Sequence, residues 1–194
     1  MIERIIRQVV DNDLQTVAGI FSLIGGVVSV QRKSTGAGTV IYPAELKYTA
    51  DCETGEYQSF MPDSAYTGIL YWEHLGVASV IDKSHSMFQQ ESNLRLVGWL
   101  NSAKIDDSYL LAANVVNAVK RRQDNIGSYL QNIFIDYQGF EEKTAAIFSR
   151  YNYDEARSQY LMKPYDYFSI KYKVQWLFIP SCATEAQIVA NDCA

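Results

Sequence analysis

The feature that most constrains the fold is a run near the C-terminus in which apolar and polar side chains alternate. From Phe168 to Phe178 the even-numbered positions are all apolar or aromatic, whereas the odd-numbered positions up to Gln175 are mostly polar. A period of two is typical of a β-strand with one buried and one solvated face. Residues 166–179 therefore predict one strand of about 45 Å, which requires a large sheet or reaches beyond its own sheet.

The rest of the chain predicts helices on either side of a β-rich middle. Apolar residues at helical spacing indicate an amphipathic helix at the N-terminus, with a second helical piece from Leu14 that ends at Gly25 and Gly26. A polar cap at residues 106–108 introduces a helix over 109–123, and a further helix is predicted over 140–151. Strands are predicted over residues 27–31, 39–49, 57–61, 65–75, 76–81, 93–100 and 133–137.

The order of these elements indicates the fold class. Strands follow one another without the regular βαβ alternation of parallel sheets. We therefore expect an α+β fold: a mainly antiparallel sheet with a long C-terminal strand, and helices packed on one side. The 194 residues predict a single domain, in which residues 181–194 form a peripheral C-terminal extension.

Composition narrows the class of protein. Apolar residues make up 48% of the chain and charged residues 20%, which is typical of a folded protein. The formal net charge of −5 argues against a protein that binds nucleic acid with its whole surface. Lys120, Arg121 and Arg122 form the one basic cluster of the sequence, and their place at the end of a predicted helix favours a solvated helix terminus.

Membrane and export signals are not predicted. The start of the chain carries Glu3 and continues as a helical pattern, so no signal peptide is expected. The most apolar stretch, residues 17–30, is interrupted by serines and glycines and is too short to span a bilayer. We expect a soluble protein made in the cytoplasm, with no membrane partner.

No residue pattern predicts a catalytic, cofactor or metal site. Cys52, Cys182 and Cys193 lack the spacing of a disulfide framework or a zinc site, and we expect reduced thiols. The glycines of residues 35–39 lack the lysine and strand-loop-helix context of a phosphate-binding loop, and the acidic residues of 51–56 lack EF-hand spacing.

Tyrosine is concentrated late in the sequence, where eight of the fourteen tyrosines follow residue 128. Tyrosine is enriched at protein–protein interfaces because it combines a large apolar area with few rotatable bonds and a polar tip. The other interpretation is that these rings edge the elements of one domain. The predicted interface residues are Tyr151, Tyr153, Tyr160, Tyr165, Tyr167, Lys171 and Lys173.

Two features resemble a known family. The order of elements over residues 1–180 and the Tyr-Asp-Tyr-Phe-Ser-Ile-Lys-Tyr-Lys-Val pattern of residues 165–174 are similar to tailed-phage neck proteins of the tail-terminator or tail-completion type. The resemblance implies a virion protein assembled in the host cytoplasm as a ring, commonly a hexamer, that joins the tail tube to the head connector. It implies other neck and tail proteins as partners, DNA only as passing cargo, and no catalytic residues.

Two further classes stay open. A small-molecule-binding α+β domain would have a cleft lined by aromatic side chains, among them Trp72, Trp99 and Trp176. An enzyme would use His74 or His85 as its base, although their separation of eleven residues excludes a paired zinc site on one helix.

Overall fold

The computed structural model of the protein describes residues 2–35, 38–49, 52–84, 87–105, 108–119, 122–127, 129–141, 145–152 and 162–180. Within these residues the α-helices are α1 (Ile2–Asn12) and α2 (Ser108–Ala118), and short 3₁₀ helices span Leu14–Val17 and Ala145–Phe148. The strands are β1 (Leu23–Val27), β2 (Ser29–Thr35), β3 (Gly38–Thr49), β4 (Cys52–Ser59), β5 (Gly68–His74), β6 (Ser79–Ser84), β7 (Met87–Asn101), β8 (Arg122–Ile126), β9 (Leu130–Glu141) and β10 (Tyr165–Phe178).

A seven-stranded central sheet organises the molecule. Its order is β1-β5-β7-β10-β9-β8. β6 pairs with the first part of β7, on the same edge of β7 that pairs with β5 further along the strand. Strands β2, β3 and β4 form a second, three-stranded antiparallel sheet. Every pairing between the named strands is antiparallel except that of β1 with β5. The prediction of a mixed fold with a mainly antiparallel sheet is confirmed.

The long C-terminal strand is also confirmed, and it lies at the centre of the sheet. β10 pairs with β7 over its whole length, from Tyr165 opposite Asn101 to Phe178 opposite Phe88, and β9 lines its other side. Even positions 168–176 are buried, as the alternation predicts. The strand pairs with β7 over its whole length and with β9 from Ser169 to Phe178, so the expectation of a large sheet holds.

Each face of the central sheet carries its own core. Residues of α1, α2 and the first 3₁₀ helix join the even-numbered side chains of β7 and β10 in the larger cluster. The opposite face packs against the second 3₁₀ helix and the residues after β4. This second cluster contains Phe60, Ile69, Tyr71, Val97, Trp99, Ile147, Phe148 and Tyr151.

The prediction that Gly25 and Gly26 end a helix is wrong, because both lie in β1. The glycines are needed for close contact rather than for a turn. A Cβ on Gly25 would meet the ring of Phe60, and the Gly26 amide donates to Glu45 Oε2 at 2.9 Å. Burial raises the pKa of Glu45 above its ordinary value, against the opposing effects of the Gly26 amide and Arg7.

Two helix predictions in the second half are wrong in extent. The helix expected over 109–123 ends at Ala118, and residues 122–126 form β8. The helix expected over 140–151 is replaced by the end of β9 and the 3₁₀ helix Ala145–Phe148. Residues 122–126 pair with β9, and the end of β9 pairs with β10. Local helical spacing does not reveal such pairing with a distant strand.

The acidic residues of 51–56 predict a turn, but residues 52–56 form the first part of strand β4. The polar cap at residues 106 and 107 and the extension at 181–194 lie outside the described residues. Among the described helices, neither has the length and apolar character that crossing a bilayer requires.

Candidate functional site

The structure brings most of the predicted interface residues onto one face of the central sheet. Tyr165, Tyr167, Lys171 and Lys173 occupy odd-numbered positions of β10, and Tyr151 packs against the same face. Tyr153 and Tyr160 lie outside the described residues. The period-two pattern therefore predicts which side chains share a face.

The tyrosines of this face make contacts within the chain. Tyr165 stacks on Trp99 with ring centroids 5.1 Å apart, and the ring of Tyr167 meets Phe148 edge-on at 5.2 Å. Tyr151 is buried, and its hydroxyl donates to Glu73. The start of this face is thus covered by residues of 145–152, and Tyr151 contributes to the interior of the chain.

Further along β10 the same face becomes a row of charged and amide side chains. Lys171 Nζ lies 3.0 Å from Glu141 Oε1, and Lys173 Nζ lies 3.3 Å from Glu91 Oε2. Gln175 donates to Glu91 Oε2 at 2.9 Å. These hydrogen bonds, from Gln175 first and then Lys173, lower the pKa of Glu91 below its ordinary value. The row is a surface of paired charges without a single dominant sign.

A buried ion-pair network connects this row to the part of the face that residues 145–152 cover. Arg95 Nε and Nη2 donate to Glu73 Oε2 at 3.0 and 2.6 Å, and Nη2 also donates to the Ile147 carbonyl at 3.0 Å. Burial alone would lower the pKa of Arg95, but the facing Glu73 carboxylate raises it. Arg95 Nη1 lies 3.5 Å from Glu141 Oε2. All of these charges are partnered, which is typical of a structural network.

The carboxylate of Glu141 joins the network to the open row. Partial burial opposes its ionisation, but hydrogen bonds from Ser169 and Lys171 and the nearby Arg95 keep its pKa below the ordinary value. Glu141 is therefore held ionised by three neighbours on two strands.

The predicted aromatic cleft does not form in the described residues. Trp72 and Trp176 belong to the core beneath the helices, whereas Trp99 belongs to the core on the opposite face, and all three are buried. The sheet itself separates them. An open pocket of about 300 Å³ lies at one end of the sheet, lined by Gln89, Asn132, Phe134, Gln175, Trp176 and Leu177.

His74 lies between a serine and a carboxylate, yet the arrangement does not present a nucleophile. Ser92 Oγ is 3.4 Å from His74 Nδ1, and His74 Nε2 is 3.8 Å from Glu3 Oε1. Ser92 is only 1% exposed, so its hydroxyl has no route to a substrate. The exposed side chain of the three is that of Glu3. The contact with His74 lowers the pKa of Glu3.

The other side chains considered for chemistry add no site within the described residues. His85 and the side chain of Cys52 lie outside them, as do Cys182 and Cys193. The described part of the chain contains no group of three or more histidine, cysteine or acidic side chains placed to hold a metal ion.

Exposed apolar side chains occur at two opposite edges of the central sheet. On one edge, Val80 and Ile81 of β6 are 44% and 48% exposed. On the other edge, Tyr137 and Phe140 of β9 are 42% and 45% exposed, with ring centroids 6.0 Å apart. Sequence reasoning assigned these residues to strands or a helix but missed their exposure, because exposure depends on which strand lies at an edge.

No protein-family model matches this chain, and no curated protein matches its sequence.

Proposed function

We propose that this chain is a structural virion protein, a ring-forming subunit of a phage neck or tail that acts through protein–protein contacts. Its place in such a particle would be that of a tail terminator or head–tail connector. The subunit works by contacting copies of itself and neighbouring neck and tail proteins.

The observation that carries the proposal is the pair of exposed apolar edges on the central sheet. Strand edges with exposed apolar side chains are templates for pairing with another chain, and monomeric proteins usually cover or charge them. Here β6 and the second half of β9 lie on opposite sides of the sheet. A protein with two such edges is suited to contact two neighbours at once.

A helical layer on one face supports the same interpretation. We infer that α1 and α2 pack together on one side of the sheet, since both enter one buried cluster with its even-numbered residues. That arrangement directs contacts between subunits to the edges and to the charged row of Lys171 and Lys173.

The kind of assembly rests on the resemblance in element order and in residues 165–174. By that resemblance the assembly is a ring, a hexamer or a larger one, located in the virion. If DNA contacts the ring at all, it does so only as passing cargo.

Electron microscopy of the purified full chain tests the proposal. Stained particles should be annular, with one subunit number. Particles of single-subunit size that bind a small molecule at the open pocket would instead support the ligand-binding alternative and contradict the proposal.

A further inference from the structure

We propose that β6 of one copy pairs antiparallel with residues 137–141 of β9 in the next copy, so that the central sheet continues from subunit to subunit. The proposal rests on the ring function above and names the contact that builds the ring. Among the described strands, β6 pairs only with β7, and residues 137–141 pair only with β10.

The strand directions favour this contact. β6 is antiparallel to β7, β7 to β10, and β10 to β9, so β6 and β9 run in opposite directions. When two copies stand side by side with their sheets facing the same way, β6 of one therefore meets β9 of the other antiparallel. This is the commoner pairing in sheets and the slightly more stable one.

The two edges are offset along the sheet. Ser79 of β6 and Gln175 of β10 both pair with Glu91 of β7, so they lie at the same height along the sheet. Glu141 of β9 pairs with Ser169 of β10, which precedes Gln175 by six residues. If Ser79 of one copy lies opposite Glu141 of the next, the next copy is shifted along the strand direction by six residues, or about 20 Å at ~3.3 Å per residue. An even shift keeps each side chain on its own face of the sheet.

This offset fits a closed ring. Each copy adds four strand positions, those of β6, β7, β10 and β9, or about 19 Å at ~4.8 Å per strand. A shift of about 20 Å over about 19 Å tilts the strands by about 45°, at the upper end of the 35–45° typical of closed barrels. The contact uses two different edges, so it is head-to-tail and closes into a ring when the rotation allows.

The local irregularities of the two strands coincide in this register. The β6–β7 pairing shifts between Val80 and Asp82, and the β9–β10 pairing shifts at Gln138, between Tyr137 and Gly139. When Ser79 of one copy lies opposite Glu141 of the next, the register shift in β6 and the register shift in β9 lie side by side.

The side chains also match across the proposed contact. Val80 faces Phe140, and Lys83 comes beside the ring of Tyr137, all on the side of the sheet that carries the even positions of β10. Apolar–aromatic pairs and a cation beside a tyrosine ring are favourable cross-strand contacts. Val80, Tyr137 and Phe140 would thus be covered by a second copy.

The described part of β8 ends short of the proposed contact. Among the described residues, the last pairing of β8 with β9 on this side is that of Arg122 with Ile135. Residues 137–141 therefore lie beyond the last β8 pairing. β6 of the next copy would continue the strand position that β8 occupies.

Disulfide cross-linking tests the register directly. In a full chain with Cys52→Ser, Cys182→Ser and Cys193→Ser, a Val80→Cys variant is mixed with a Phe140→Cys variant under mild oxidation. We expect a covalent dimer joined between positions 80 and 140, identified by peptide mass spectrometry. Each single variant alone should give no dimer, because the contact is head-to-tail.

Links between two copies of position 80 or of position 140 would overturn the proposal, since they indicate a two-fold contact. Rings of normal mass without any link between positions 80 and 140 would overturn it while leaving the ring function intact. A chain that is monomeric by mass overturns both.

A charge pair provides a second test that does not depend on oxidation. Val80→Glu and Phe140→Lys should each abolish assembly, and the double variant should restore it by placing opposite charges face to face. Leu110→Lys, an exposed apolar residue of α2 away from both edges, is the matched control and should assemble normally. If Leu110→Lys disrupts assembly while Val80→Glu leaves it unchanged, the proposed contact is wrong.

Discussion

Arg95 and Glu73 lie directly opposite each other on β7 and β5, with Arg95 Nη2 2.6 Å from Glu73 Oε2 in the interior of the protein. The guanidinium also binds the Ile147 carbonyl, and Glu73 accepts a hydrogen bond from Tyr151. One cross-strand ion pair therefore attaches the segment 145–152 to the sheet.

Replacing Arg95 by leucine should be strongly destabilising. Glu73 is buried, so the substitution leaves its carboxylate without a charged partner, which costs about 3–5 kcal/mol. Urea denaturation followed by tryptophan fluorescence measures the loss in the free energy of unfolding. Lys171→Met is the matched control, because Lys171 is an exposed member of the same row and should change stability by about 1 kcal/mol or less. Equal effects of the two substitutions would show that the Arg95–Glu73 pair has no special role.

The stability of the protein should depend on pH through Glu141. Its pKa in the folded protein is lowered, so the stabilisation is present above the unfolded pKa of about 4.3 and is lost as the pH falls through the folded value. Glu141→Gln should lower the free energy of unfolding by roughly 1–3 kcal/mol at pH 7. The difference from the wild type should shrink as the pH falls below about 4. A difference that stays constant down to acid pH would contradict this role of the carboxylate.

Gly98 should not tolerate a side chain. A Cβ at this position of β7 would lie 2.2 Å from the ring of Phe168, which is held in the core. Gly98→Ala should therefore destabilise the protein by about 1–3 kcal/mol through overpacking. Gly76→Ala is the control, since a Cβ at Gly76 would have no described atom within 4 Å beyond its chain neighbours. Thermal unfolding of the two variants gives the comparison, and equal melting temperatures would contradict the overpacking.

The tyrosine-rich composition predicts Tyr151 at an interface, and the contact of its hydroxyl gives a sharper test of its role. Because its hydroxyl donates to the buried Glu73 carboxylate, Tyr151→Phe should lower the free energy of unfolding by about 1–3 kcal/mol. The mass of the assembly should not change. A variant of normal stability that fails to assemble would place Tyr151 at the interface after all.

The sequence predicts the parts of the fold that depend on local spacing. The alternation from Phe168 to Phe178 identifies β10 and its buried face, and the spacing of Ile2 to Val10 identifies α1. The pattern gives the wrong result at Gly25, Gly26 and the end of α2 because distant partners, such as the ring of Phe60, decide these conformations. A glycine at a close contact and a glycine at a helix end look the same in sequence.

The candidate site was predictable only in part. The spacing of Tyr165, Tyr167, Lys171 and Lys173 places them on one face, but the burial of Tyr151 depends on Glu73, which lies 78 residues away in sequence. The exposure of Val80 and Phe140 depends on strand order. Apolar residues in strands are usually buried, so only the topology shows that these two lie at edges.

Native mass spectrometry of the full chain tests the central claim most directly, because the claim is that the protein functions by binding copies of itself. We predict one dominant species whose mass is a single multiple of 22.0 kDa, six or more subunits, with no ladder of intermediate sizes. A dominant 22.0 kDa species at every protein concentration would contradict the account.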